Sequence, residues 1–548
     1  MKPLNDLTLE QKVGQLLMCG FHSQHADEQI TRLIRDYHVG GVIYFRRNVE
    51  SVDQLTRLSA ELQDMAAEAG ALPLMISVDQ EGGMVARIDK EGMTQVPGNM
   101  ALGATGNPEY TLECAQILGR ELKSIGIDMN LAPVVDVNNN PLNPVIGVRS
   151  YGEHAESVAT HGVAAITGYQ LQGIAATAKH FPGHGDTAVD SHLGMVTVPH
   201  DRNRLEQMEL LPFRRAIEAG VDAIMTAHVM FPSIEPEPIP ATLSHKVLTG
   251  LLREEMGFEG IIITDCLEMH AISKPYGVAE AAIRAVEAGA DLILVSHTLQ
   301  DQVAALEAIV EAVRTGRISE EVIHQAVERI MTWKKKRCGQ QNDHLVSPKA
   351  SETVEATDVE PVNCTESTET TDSSVPNELT LFKIASSSIT IVHNDGLLPL
   401  DPEKDVYVIW PEVVQRTEVD EPWSHTESLG MALSQLRGRV REHKITTQPT
   451  YDEADRILAD VSDREQVIVC TYTSGGHLPK GQQYLVEKLS KNHSLIVIAL
   501  RNPYDLLEIS RPGSYVCTYE NTPAVVRVLS QVLTGGLQPT GSLPVRLR

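Results

Sequence analysis

The segment Lys179-His-Phe-Pro-Gly-His-Gly-Asp-Thr-Ala-Val-Asp-Ser-His192 packs three histidines, two aspartates and a lysine into one stretch, with Gly183 and Gly185 as flexible points. Two chemistries could use that set. In the first, Lys179 and His180 donate hydrogen bonds to a polar ligand, while Asp190 accepts from the His192 imidazole and sets its tautomer for proton transfer. In the second, His180, His184 and His192 bind a divalent metal together with an aspartate. A solvated polar loop is the bland alternative.

Two further segments carry carboxylates in similar settings. Asp265 ends the apolar run Gly260-Ile-Ile-Ile-Thr264, where it serves either as a cap for the next helix or as a nucleophile. Cys266 beside it suits packing. In Asp79-Gln-Glu-Gly-Gly-Met-Val-Ala-Arg87, a carboxylate and a guanidinium flank two glycines that permit close backbone approach. An Asp and Arg pair suits a polyhydroxylated ligand, because the carboxylate accepts from vicinal hydroxyls and the guanidinium donates as a fork.

Elements must bring these groups together, and the chain repeats one unit that can. Short apolar runs at 41–45, 74–78, 129–135, 174–178, 223–227, 260–264 and 292–295 alternate with helical stretches. Runs of this kind predict buried parallel strands, and their number favours a (β/α) barrel over an open sheet. Asp79, Asp136, Lys179-His180, His228, Asp265 and Ser296-His297 follow or end these runs, on the barrel face where such enzymes keep their sites.

The composition changes after Lys334-Lys335-Lys336-Arg337. From Ser351 to Thr380 the chain is rich in Ser, Thr, Glu and Asp, without Lys, Arg or aromatic residues. A segment of that kind buries too little to offset its ordering entropy. The expected division is a TIM-barrel domain at 1–338, an acidic linker at 339–380 and a C-terminal α/β three-layer sandwich domain at 381–548. Apolar runs at 406–410, 466–470, 494–499 and 514–517 predict the parallel strands of that last domain.

A length of 548 residues is too much for one core at roughly 150 residues per domain. Acids exceed bases, 73 to 46, for a formal charge of −27, which argues against nucleic acid or an anionic membrane as partner. No apolar run approaches the ~18 residues of a membrane span. The seven cysteines are scattered and form no CxxC pair, which fits a reducing compartment. With no signal sequence visible, a cytoplasmic location is expected.

Taken together, Asp79-Gln-Glu-Gly-Gly, Gly147-Val-Arg-Ser-Tyr-Gly152, Lys179-His-Phe-Pro-Gly-His-Gly-Asp-Thr with Asp190-Ser-His192, and Ile263-Thr-Asp-Cys-Leu-Glu-Met269 resemble family 3 glycoside hydrolases of the β-N-acetylglucosaminidase branch. The match runs over about residues 8 to 336. The resemblance implies Asp265 as nucleophile, His192 as acid/base and Asp190 as its partner. It also implies Asp79, Arg87, Arg149, Lys179 and His180 as ligands of the sugar bound next to the nucleophile. His228 joins these as an expected substrate ligand by its place at a strand end. Members commonly carry a second Asp where Cys266 stands, and often Arg where Met84 stands.

The residue chemistry agrees on one point. Glycoside cleavage through an oxocarbenium-like transition state needs a carboxylate on one face and a proton donor on the other. A histidine donor with an ordinary pKa near 6.5 is partly protonated at neutral pH. The three tryptophans, Trp333, Trp410 and Trp423, lie away from the strand ends, so a small pocket and exo action on short glycans with terminal β-GlcNAc are expected, without a cofactor. A GlcNAc phosphorylase on the same fold, a metal-dependent hydrolase and a non-catalytic glycan-binding protein remain alternatives.

Overall fold

The computed structural model describes residues 2–187, 194–337, 374–413, 427–462 and 464–547. Eight short strands alternate with helices in its first part: β1 (Leu17–Cys19), β2 (Gly41–Tyr44), β3 (Met75–Val78), β4 (Met129–Asn130), β5 (Ala175–Phe181), β6 (Ala223–Thr226), β7 (Ile261–Ile263) and β8 (Ile293–Val295). Hydrogen bonding runs β7-β6-β5-β4-β3-β2-β1-β8. A parallel bridge between Ile263 and Leu292 joins the two ends and closes the barrel.

The period-2 alternation of strand side chains divides these residues between two cores. Met18, Ile43, Met75, Met129, Ala175, Ala223, Met225, Ile261, Ile263 and Leu294 fill the barrel interior. Their neighbours Leu17, Cys19, Val42, Tyr44, Ile76, Val78, Ile224, Ile262 and Val295 pack outward under the helices. Burial of each large aliphatic side chain contributes roughly 1.5–3 kcal/mol.

Strand β1 lies outside the seven expected runs. It is three residues long, directly after the helix Leu9–Gln15, so it has too little length to register as a period. It nevertheless pairs with both β8 and β2 and is required for closure. The helix Glu320–Arg337 closes the opposite end, where Ile330 and Trp333 belong to the interior core. The basic run at its end is locked in place: buried Lys334 donates to Gln15 Oε1 at 2.7 Å and to Gly40 O at 2.8 Å, and Arg337 pairs with Asp222 at 2.8 Å.

The second domain is a six-stranded sheet, β9 (Thr390–Asn394), β10 (Asp405–Glu412), β11 (Val440–Thr446), β12 (Glu465–Thr471), β13 (Leu495–Ala499) and β14 (Ser514–Cys517). Its order is β9-β14-β13-β12-β10-β11, parallel except for β9. The four expected runs supply its centre. The unexpected strands are both edges: Val440-Arg-Glu-His-Lys-Ile-Thr446 is charged along its length, as edge strands often are, and β9 is short and antiparallel.

The expected linker end at Thr380 needs correction. A helix spans Ser374–Ser388 and takes in residues 374–380. Within it Ile384 packs into the barrel core and Ala385 into the core of the second domain. The acidic composition upstream hides the helix start. Residues 338–373 lie outside the described residues. No described helix is long and apolar enough to cross a membrane.

Candidate active site

The carboxyl ends of the barrel strands open into one cavity of about 460 Å³, within the ~300–1,000 Å³ of small-molecule sites. Asp79 follows β3, Lys179 and His180 lie near the end of β5, and Asp265 comes two residues after β7. Arg87 follows the short strand Val85–Ala86, Arg149 ends the 3-10 helix Gly147–Arg149, and all six side chains line the cavity.

Their charges form one network. Glu81, in the short strand Gln80–Gly82 that follows Asp79, accepts from Arg149 twice, Nε to Oε2 at 2.9 Å and Nη2 to Oε1 at 2.7 Å. Lys179 Nζ lies 2.8 Å from Glu81 Oε1 and 2.8 Å from Asp79 Oδ1. Arg87 Nη2 approaches Asp79 Oδ2 at 3.9 Å. Burial alone would push the Glu81 carboxyl up, but Arg149 and Lys179 outweigh it and hold the group well below the usual range. For Lys179, burial pulls the ammonium down and the two carboxylates reverse that, so it stays charged. Glu81 is a site residue that its motif contained without marking its role.

The histidine loop is anchored from β4's side of the barrel. Asp136 Oδ2 accepts from His180 Nδ1 at 2.7 Å, and its Oδ1 accepts from the His184 amide at 2.6 Å. His180 therefore meets any ligand through its other ring nitrogen. Asn143 Nδ2 donates to the carbonyls of His184 and Gly185 at 2.8 and 2.9 Å. Burial, reinforced by the neighbouring His180, brings His184 down to about 4, so its ring is neutral at physiological pH. Asp190 and His192 lie outside the described residues.

Asp265 Oδ1 accepts from the Cys266 amide at 2.7 Å. The strand before it is tied across the closure by Thr264 Oγ1, which accepts from the Leu294 amide at 3.0 Å. Glu268 accepts from the amides of Ser296, His297 and Thr298 at 2.7, 2.7 and 2.8 Å, fixing the loop after β8 against the loop after β7. Nothing local in the sequence signals that partnership. Arg47 stacks its guanidinium 4.1 Å from the Phe45 ring centroid and donates to Ser296 O at 2.8 Å. Both residues line the cavity.

His228, expected as a substrate ligand, is not among the residues that line the cavity. It is 1% exposed, with Nδ1 2.8 Å from Thr242 Oγ1 and Nε2 2.9 Å from Cys266 O. A strand-end position brings a residue to the right height but does not decide which way its ring turns. Here the ring supports the loop that carries Asp265.

Among the described residues, the groupings able to offer three ligands to a metal are Cys266 with Glu268 and His297, and Asp186 with His200 and Glu209. Neither contains His180 or His184. Each carboxylate in these groups is already engaged: Glu268 by three amides, Glu209 by Arg204 at 3.0 Å, and Asp186 by His200 at 2.6 Å.

A family model described as the Glycosyl hydrolase family 3 N terminal domain matches residues 8–333. The chain is similar to the solved structure of a glycoside hydrolase family 3 β-N-acetylglucosaminidase from Paenibacillus sp. str. FPU-7, with 49% identity and a TM-score of 0.90 over 99% of each chain. It is 34% identical over 445 residues to beta-hexosaminidase A of Pseudoalteromonas piscicida, covering 74% of this chain and 71% of that protein. Over 570 residues it is 27% identical to a β-N-acetylglucosaminidase/β-glucosidase of Cellulomonas fimi, covering 99% and 94% of the two.

Proposed function

This chain belongs to glycosyl hydrolase family 3, and from that premise we propose that it is a retaining, exo-acting β-N-acetylglucosaminidase releasing terminal GlcNAc from short glycans of muropeptide or chitin origin. The coarser statement, that it is a glycoside hydrolase of the β-hexosaminidase kind, follows from its relatives. The observation that carries the finer reading is the convergence on one cavity of the Asp265 carboxylate with the Asp79, Lys179, Arg87, Arg149 and His180 side chains.

In the proposed mechanism Asp265 attacks the anomeric carbon while His192, oriented by Asp190, gives its proton to the departing glycosidic oxygen. The sugar is then held as an ester on Asp265. Water, deprotonated by His192, attacks the same carbon, releases the carboxylate and restores the β-configuration. Asp79 accepts from sugar hydroxyls, and the cations around it donate to the remaining oxygens. A cavity of about 460 Å³, at the small end of the range for ligand sites, supports exo action on a terminal residue.

The test is turnover of 4-nitrophenyl β-GlcNAc, with the anomer of the first product followed by NMR, in the presence and absence of phosphate. Release of β-GlcNAc in both conditions supports the proposal. An α-anomer excludes the covalent route, and GlcNAc-1-phosphate formed at the expense of GlcNAc replaces hydrolysis by phosphorolysis.

A further inference from the structure

The two glycines after Glu81 make no room for a ligand. A Cβ on Gly82 would meet Pro97 O at 2.8 Å, and one on Gly83 would meet Gly98 Cα at 2.6 Å and Glu520 Oε2 at 2.7 Å. The site loop, the segment 96–98 and a carboxylate of the second domain therefore interlock with no space for a side chain. Glu520 follows β14 and is 2% exposed. Its Oε2 accepts from the Gly98 amide at 2.7 Å, and its Oε1 accepts from the Thr522 hydroxyl at 3.0 Å. Gly98 begins the helix Asn99–Thr105, and Asn99 Nδ2 donates to Arg149 O at 2.6 Å. Arg149 in turn holds Glu81.

We infer that Glu520 of the second domain is a positioning residue for the sugar site: by holding Gly98 it sets both the Gly82-Gly83 loop that carries Glu81 and the Asn99 contact that places Arg149. The inference rests on the reading that Glu81, Arg149 and Lys179 organise the sugar pocket. It gives the second domain a part in catalysis without contact to substrate. Glu520 sits there at a cost, because burying a carboxyl group is unfavourable unless hydrogen bonds compensate. Among the described residues, the Gly98 amide and the Thr522 hydroxyl donate to it, and neither is a cation. An apolar side chain would fill the same space but leave the Gly98 amide without this acceptor.

The test uses the full chain with Glu520→Ala, Glu520→Asp and Glu520→Gln. It measures kcat and KM for 4-nitrophenyl β-GlcNAc, the Kd of free GlcNAc, and thermal unfolding. Glu520→Ala is expected to raise KM and the GlcNAc Kd about tenfold, the scale of one lost hydrogen bond to a carboxylate. Glu520→Gln, whose amide oxygen still accepts from Gly98, is expected to stay within about twofold of wild type. Glu520→Asp keeps the carboxyl group but draws the oxygen back, and it carries the test if the Ala variant does not fold. Arg149→Lys separates the two levels: if it leaves the GlcNAc Kd unchanged, the reading of the pocket fails. If Arg149→Lys weakens binding while folded Glu520→Ala or Glu520→Asp keeps wild-type KM and Kd, the inference about Glu520 is overturned.

Discussion

Glu81 and Arg149 face each other through two parallel hydrogen bonds of 2.9 and 2.7 Å, with side chains only 3% and 5% exposed. Such a fork combines direction with charge, and a lysine cannot reproduce it. The pair joins the segment after β3 to the segment after β4, and through Glu81 it ties Arg149 to Lys179 at the cavity wall.

Removing one partner should expose the cost of that arrangement. Glu81→Ala leaves Arg149 and Lys179 buried without their shared carboxylate, and a loss of roughly 3–5 kcal/mol of stability is expected. Chemical unfolding followed by circular dichroism measures it. Arg149→Lys should fold but lower kcat/KM by about a hundredfold, about 3 kcal/mol. Near-normal kinetics in that variant would remove the fork from the site.

Asp265→Asn tests the nucleophile. Turnover of 4-nitrophenyl β-GlcNAc is expected to drop by at least about a thousandfold while the Kd of GlcNAc changes little, since the carboxylate acts on the anomeric carbon. In the wild-type enzyme a fluorinated slow substrate should leave a glycosyl ester on the peptide containing Asp265, read by mass spectrometry. A label on another residue would move the role elsewhere.

Leaving-group dependence tests the proton donor. His192→Ala should slow glycosides with poor leaving groups far more than activated aryl ones, because a phenolate needs little protonation. Asp190→Asn should repeat much of that pattern by loosening the imidazole and no longer stabilising its charged form. A ratio of variant to wild-type rate that stays flat across aryl glycosides of graded leaving-group pKa would take His192 out of the acid/base role.

The second domain should lose stability as pH rises from acid to neutral. Burial pushes Glu520 and Asp505 each up to about 7, with their hydrogen bonds opposing that only in part. In the unfolded chain these groups titrate near 4.3 and 3.9. A carboxyl whose folded pKa is raised contributes stability that is fully present below the unfolded value and is lost as pH rises through the folded one. The window is thus about pH 4 to 7, and the change is on the order of 4 kcal/mol per group at most. Urea unfolding at pH 5 and pH 8 should show Glu520→Gln losing less stability than wild type over that interval. An identical pH dependence in the two proteins would contradict the assignment.

The site's acidic limit has the opposite sign. Asp136 and Glu81 are held below their ordinary values, Asp136 by His180 and His184 against its own burial, Glu81 by Arg149 and Lys179. Their contribution is present above the unfolded carboxyl pKa and is lost as pH falls through the folded one. Barrel unfolding on acidification should therefore start at a higher pH in Asp136→Asn, which also loses the full acceptor capacity for His180 and the His184 amide. Unchanged acid unfolding would assign that stability to other groups.

The barrel was legible because its signals are local. Runs such as Gly260-Ile-Ile-Ile-Thr264 mark buried strands, and the polar residues that follow them stand on one face by the geometry of parallel strands. Asp79, Lys179, His180 and Asp265 follow that pattern, and all line the cavity. A strand end fixes a residue's height and not the direction of its ring, and His228 turns its Nε2 toward Cys266 O at 2.9 Å. Strand β1 and the charged edge β11 escaped notice, the first too short to show a period, the second too polar to resemble a buried strand.

The repeating order of strands and helices, and the polar side chains at the strand ends, are written in local sequence. Tertiary structure alone decided which of them meet. Glu81 and Arg149 are 68 residues apart, Asp79 and Lys179 are 100 apart, and Gly98 and Glu520 are 422 apart. Each contact depends on closing the barrel and docking the second domain against it, events set by the packing of many side chains at once. Local periodicity carries no record of such partners, since any carboxylate of the same chemistry would fit the local pattern equally well.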